Sequence, residues 1–171
     1  MNYLIIILTV ALLLSIQTTF LAIFFPSSIA PDLVLIAVVY CGIYLKGNTG
    51  IWLAVLFGFF QDCLSGGLLG VNSLSKGLAG LFFCFIKDKI IVQGVIPISF
   101  FIFATSLVDG IIYFLSMSSL LGGLIKGNFL FASIILFGVY NAAIAPFLFY
   151  IFNKVRQWLR RNFSTQAFES I

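Results

Sequence analysis

Histidine is absent from the 171 residues, and charge is scarce, with nine Lys and Arg and five Asp and Glu making 8% of the chain. Losing imidazole removes the commonest general base and the commonest metal ligand. The shortage of charge excludes more. Soluble domains carry about 25% charged residues, and a nucleic-acid surface needs many cations to track phosphates; a net charge of +4 provides neither. Cys41, Cys63 and Cys84 are odd in number, widely spaced and each set in an apolar run. They suit neither a zinc site nor a disulfide framework and read as small buried hydrophobes. No catalytic group, metal or cofactor and no nucleic-acid partner is expected.

What is present in excess is apolar: 62% of residues, 21 of them Phe, with a mean hydropathy of +1.21. The expected fold class is an all-α polytopic integral membrane protein, a single transmembrane domain over residues 1–171. Residues 1–31 carry no charge, and the apolar stretch from Tyr3 to Phe25 is long enough to cross about 30 Å of hydrocarbon. Ser28 and Ala30 have the spacing of a signal-peptide cleavage site. The run has no preceding Lys or Arg, exceeds a usual h-region and would leave Pro31 after the cut, so a retained span is expected. Further spans are predicted at 32–45, with Asp32 as N-cap or first-turn acid, and at 50–65, 71–86, 91–117 and 129–152, followed by a basic tail at 153–171. The three middle spans fall short of about 20 residues, which points to tilt, partial re-entry or shelter by neighbours. Six spans place both termini on one side. With that side cytoplasmic, Lys46, Lys87, Lys89, Lys154, Arg156, Arg160 and Arg161 all lie inside, as the positive-inside rule requires. The tail residues Lys154, Arg156, Arg160 and Arg161, with Trp158, then face the inner leaflet and its anionic lipids.

The third span holds a stripe. Gly50, Ala54, Gly58, Asp62, Gly66 and Gly70 recur every four residues, which on a helix stacks them along one face. Small residues let helix backbones approach closely, a main source of attraction in lipid. The stripe therefore predicts a packing seam, with its last two glycines free to shape a turn. Asp62 adds a carboxylate inside a span, which costs on the order of 2.5–3.5 kcal/mol unless paired, protonated or wetted. Lys76 and Asp109 are the other ionisable residues within spans, and all three fall in the outer half of the membrane. We expect an intramembrane cluster in which Lys76 neutralises Asp62, Asp109 or both, as structural glue or as a ligand site. Thr105, Ser106, Gly110 and Tyr113 offer polar groups or close approach near Asp109. In the last span Pro146 frees backbone groups for Asn141 or a neighbouring helix to satisfy.

Residues 31–86 also carry a resemblance. Pro31-Asp32-Leu33 opens a span, a basic turn follows, and a glycine-spaced helix leads into Asp62-Cys63-Leu64-Ser65-Gly66-Gly67-Leu68-Leu69-Gly70-Val71-Asn72-Ser73-Leu74. This resembles the MreD family, the integral-membrane rod-shape-determining proteins of bacteria. The resemblance implies a non-enzymatic component of the cell-wall elongation machinery that binds MreC. MreC in turn connects to the peptidoglycan transpeptidase–glycosyltransferase pair, and the MreB filament belongs to the same system. It also implies a six-helix bundle similar to the substrate-binding subunits of energy-coupling-factor transporters. On this reading Asp62, Gly66, Gly70 and Asn72 shape the outer end of the bundle, and small-residue faces dock the MreC helix.

Two other functions compete. A vitamin- or metal-binding transporter subunit needs a polar and aromatic outward pocket, for which Asp62, Asn72, Lys76 and Asp109 are available. The outer loops are short, however, and Ala11-Leu12-Leu13-Leu14-Ser15 only loosely echoes a docking motif. A Ser–Lys hydrolase would use Ser73 or Ser75 with a desolvated Lys76. Only Ser73, three residues from Lys76, shares its helix face.

Overall fold

A computed structural model describes residues 2–21, 30–45, 48–65, 69–89, 94–120 and 127–162. Six α-helices account for most of them. They are α1 (Asn2–Ile16), continued by a π-helical turn Gln17–Leu21, α2 (Leu33–Tyr44), α3 (Thr49–Ser65), α4 (Val71–Ile86), α5 (Val95–Leu120) and α6 (Gly127–Asn162). No strand occurs among the described residues. Two stretches, Val95–Ser116 and Ala132–Trp158, are by length and composition apolar enough to cross a membrane.

Helix α2 is the axis of the bundle. It is hydrophobic on all sides, the pattern of a helix with no exposed face, and Leu33 through Val39 are buried without a break. Its 12 residues reach only about 18 Å, so it is too short to span hydrocarbon unaided. Its apolar surface is covered by neighbours, since α1, α3, α4, α5 and α6 all pack against α2. Asp32 begins the helix as expected, its carboxylate accepting from the Val34 and Leu35 N–H groups at 3.0 Å. The π-helical turn at the end of α1 adds a second acceptor, Gln17 Oε1, 3.1 Å from the Leu33 N–H.

Two antiparallel pairs flank this axis. In the α3–α4 pair, a Cβ placed on Gly58 would lie 2.4 Å from the Asn72 carbonyl oxygen and 2.6 Å from Ser73 Cα. The helices therefore meet backbone to backbone there. The α5–α6 pair meets through side chains, with Gly138 facing the Phe103 ring and Gly110 facing Ile134. Helix α5 starts at Val95 and runs to Leu120, later at both ends than the predicted span. Gly94 takes a left-handed φ of 96° just before it, and Pro97 sits in its first turn, where a missing N–H leaves no bond unmade. Helix α6 continues beyond the predicted apolar span into the basic tail and ends at Asn162. Pro146 lies inside α6 and cannot donate to the carbonyl four residues back. That carbonyl, Ala142, instead accepts from Ser99 Oγ on α5 at 3.0 Å. A neighbouring helix thus satisfies the freed group.

At the end of the bundle where α2 stops, aromatic and basic groups gather. Tyr40 packs on Phe149 and Phe152 and donates its hydroxyl to Asn153 Oδ1 at 3.0 Å. The Arg156 guanidinium lies 5.2 Å from the Tyr44 ring centroid, and Lys87 Nζ donates to the Leu45 carbonyl at 2.8 Å. Both cations sit where the α2 dipole is negative. Cys41 is buried and Cys84 partly buried, whereas Cys63 is exposed and departs from the expected burial.

Candidate functional site

The opposite end of the bundle, where α2 and α4 begin and α3 finishes, holds a connected polar core. Two carboxylates there are each held by four donors. The first belongs to Asp62, 1% exposed. Its Oδ1 accepts from the backbone N–H and the Nδ2 of Asn72 at 3.0 and 2.9 Å. Its Oδ2 accepts from the Gly70 and Ser73 N–H groups at 2.9 and 3.0 Å. Asp62, at the end of α3, therefore caps the start of α4, where free N–H groups and the helix dipole favour an anion. The turn that permits this needs Gly70, which has φ 100°.

The second is Asp32. While Oδ1 caps α2, Oδ2 accepts from Lys76 Nζ at 2.9 Å and from Gln61 Nε2 at 3.0 Å. Lys76 is completely buried. Its ammonium has three N–H donors and three acceptors: Asp32 Oδ2, Asn72 Oδ1 at 2.9 Å and Asp109 Oδ1 at 3.4 Å. Ser75 Oγ donates to the same Asp109 oxygen. On the far side of Asp32, its backbone N–H donates to Asn141 Oδ1 at 2.7 Å, and Asn141 Nδ2 donates to Ser106 Oγ at 2.9 Å. One network thereby fastens α2, α3, α4, α5 and α6 together.

Lys76 does meet Asp109 as expected. Its direct pairing with Asp62 gives way to a different arrangement: Asp62 is capped by backbone, Asn72 bridges it to Lys76, and Asp32 occupies the place beside the ammonium. The reason is geometric. Asp62 points to α4's first turn, whereas Gln61, one residue earlier and about 100° round the helix, points to α2 and Asp32. Sequence reasoning assigned Asp32 only its capping role and passed over Gln61. The signal available for Asp32 was depth, since it and Lys76 both lie within the first turns of helices that start at the same end of the bundle.

The stripe divides. Gly50 packs against α2, at Cys41 and Gly42, Ala54 meets Gly80, and Gly58 meets Asn72 and Ser73. These are internal packing positions, so Gly50, Ala54 and Gly58 present no free face to a partner helix. Gly70 belongs to the turn rather than the seam, since α3 stops at Ser65; Gly66 lies outside the described residues. Around Asp109, Thr105 Oγ1 donates to its own helix at Phe101, Gly110 packs on Ile134 and Tyr113 faces outward. In the tail Lys154 is exposed and Arg156 partly buried; the side chains of Arg160 and Arg161 lie outside the described residues.

The core also bears on the competing chemistries. Three acceptors, two of them carboxylate oxygens, surround Lys76 Nζ and leave it no free side toward a hydroxyl, and Ser73 Oγ is committed to the Val55 carbonyl at 3.1 Å. The Ser–Lys reading gains no support from this arrangement. Among the described residues no group of His, Cys, Asp and Glu could hold a metal ion.

A family model described as rod shape-determining protein MreD matches residues 1–155. The chain belongs to the MreD family. No curated protein and no solved structure matches it. Family membership assigns a role in rod shape determination. The matched stretch contains every residue of the polar core, so in this MreD chain the network lies wholly within the family's own region. Of the basic tail residues, Lys154 falls inside the match, and Arg156, Arg160 and Arg161 lie beyond it.

Proposed function

We propose that this MreD chain is a non-enzymatic scaffold of the bacterial cell-wall elongation machinery, holding rod shape by binding MreC and coupling it to peptidoglycan synthesis. The carrying observation is that its buried polar groups are spent on one another across five helices, within the stretch that matches the family. Such a core stabilises one arrangement of helices, which a partner then recognises from outside. The six-helix plan, on this reading, is similar to that of energy-coupling-factor substrate-binding subunits. The polypeptide crosses the cytoplasmic membrane six times with both termini inside. Support comes from the basic end of the bundle: Lys87, Lys89, Lys154 and Arg156 lie at the end opposite Asp32, Asp62 and Lys76, and cations favour the cytoplasmic leaflet. The MreB filament and the transpeptidase–glycosyltransferase pair are reached through MreC rather than by this chain's own chemistry. Because Gly50, Ala54 and Gly58 are used internally, MreC docks on outer faces of the bundle.

Depletion in the native host tests the proposal. Rods are expected to swell into spheres, and MreC to copurify with the tagged chain from detergent extracts. Unaltered shape together with a new vitamin requirement would transfer the assignment to a transporter subunit.

A further inference from the structure

The polar core has an unbalanced charge count. Of the charged residues buried among the described ones, Asp62 is compensated by the start of α4, which leaves two carboxylates, Asp32 and Asp109, around one ammonium, Lys76. No other Lys or Arg among the described residues is buried with them. The groups that face Asp109 are Lys76 and the Ser75 hydroxyl of α4 and, across the ammonium, Asp32 at the start of α2; Asn141 of α6 is occupied with the Asp32 N–H and Ser106. A lone excess charge in a low-dielectric interior is costly, and a carboxyl group can relieve it by binding a proton.

The two carboxylates are unequally equipped to stay ionised. Asp32 has two donors on each oxygen, one of them an ammonium and two of them N–H groups at a helix start. Asp109 sits mid-way along α5, away from either helix end, and its donors among the described residues, Ser75 Oγ and Lys76 Nζ, both reach Oδ1. The ammonium is also farther from Asp109, at 3.4 Å against 2.9 Å. We propose that Asp109 is a built-in proton-binding site: the buried Asp32–Lys76–Asp109 group holds one proton on Asp109 Oδ2, taken from solvent, and is neutral as a whole. The inference concerns the resting bundle and stands whichever partner the chain binds.

Infrared spectroscopy of the full chain in lipid nanodiscs at neutral pH tests it. Only five Asp and Glu residues are present, so the C=O stretch of a single protonated carboxylic acid is resolvable from carboxylate bands. The expected spectrum has one such band, and Asp109→Asn abolishes it. Absence of the band in the unmutated chain, or its persistence in Asp109→Asn, overturns the proposal. Thermal unfolding then locates the proton. Asp109→Asn, a neutral stand-in for the acid, is expected to unfold at the temperature of the unmutated chain within error, and Asp32→Asn at a clearly lower one. Equal losses in the two variants, or failure of Asp109→Asn to fold, would place the proton elsewhere and sink the assignment.

Discussion

The α3–α4 and α5–α6 pairs solve the same problem, holding two antiparallel helices together in an apolar surround, by different means. In α3–α4 the backbones touch at Gly58, and a carboxylate of one helix caps the next. In α5–α6 the helices are longer and meet through side chains: Phe103 against Gly138, Ile134 against Gly110, and Ser99 supplying the donor that Pro146 lacks. Backbone contact leaves no atom free to give way, whereas side chains can shift. A rigid seam and a compliant one therefore sit on either side of α2, and the network around Lys76 ties them together.

The largest effect should come from cutting that tie. Lys76→Leu leaves Asp32 without its cation and Asp109 without one of its donors, and breaking a buried pair in this way costs about 3–5 kcal/mol. Unfolding in detergent should reveal this loss despite the gain in apolarity; equal or greater stability would dismiss the network as a source of cohesion. Next is the contrast between seams. Gly58→Ala forces a backbone shift and should cost about 2–3 kcal/mol, whereas Gly138→Ala, opposite an aromatic ring at 3.0 Å, should cost under about 1 kcal/mol. Similar melting shifts in the two alanine variants would erase the distinction. Between these two alanine variants falls Ser99→Ala, which strands the Ala142 carbonyl beside Pro146 and should cost about 1 kcal/mol in the same assay.

Much of this was legible before any coordinates. Charges inside apolar runs are conspicuous, so Lys76, Asp109 and Asp62 stand out individually, and four-residue spacing marks the seam of α3. The capping role of Asp32 and the relief of Pro146 by another helix also follow from local chemistry. What stays hidden is which groups meet. Whether Lys76 finds Asp62 or Asp32 depends on rotations of about 100° per residue and on how three helices cross, and no local pattern encodes that. Gln61 escaped notice because it is uncharged and stands beside a carboxylate that commands attention. Asn141 was noticed for the wrong neighbour: it serves the Asp32 N–H and Ser106 rather than the gap left by Pro146. The ends of α5 and α6 differ from the predicted spans because hydropathy marks an apolar stretch, and a helix continues past that stretch wherever its backbone bonds do.

Asp62 lies on one helix and completes the first turn of the following one. During biogenesis α4 lacks its anionic terminator until the last turn of α3 is in place, and α3 carries an unsatisfied carboxylate until α4 begins to wind. On the six-span reading proposed above, neither segment is a comfortable solitary passenger in the translocon, and the two are expected to partition into the bilayer together, as a preassembled hairpin, before the longer helices arrive to enclose α2.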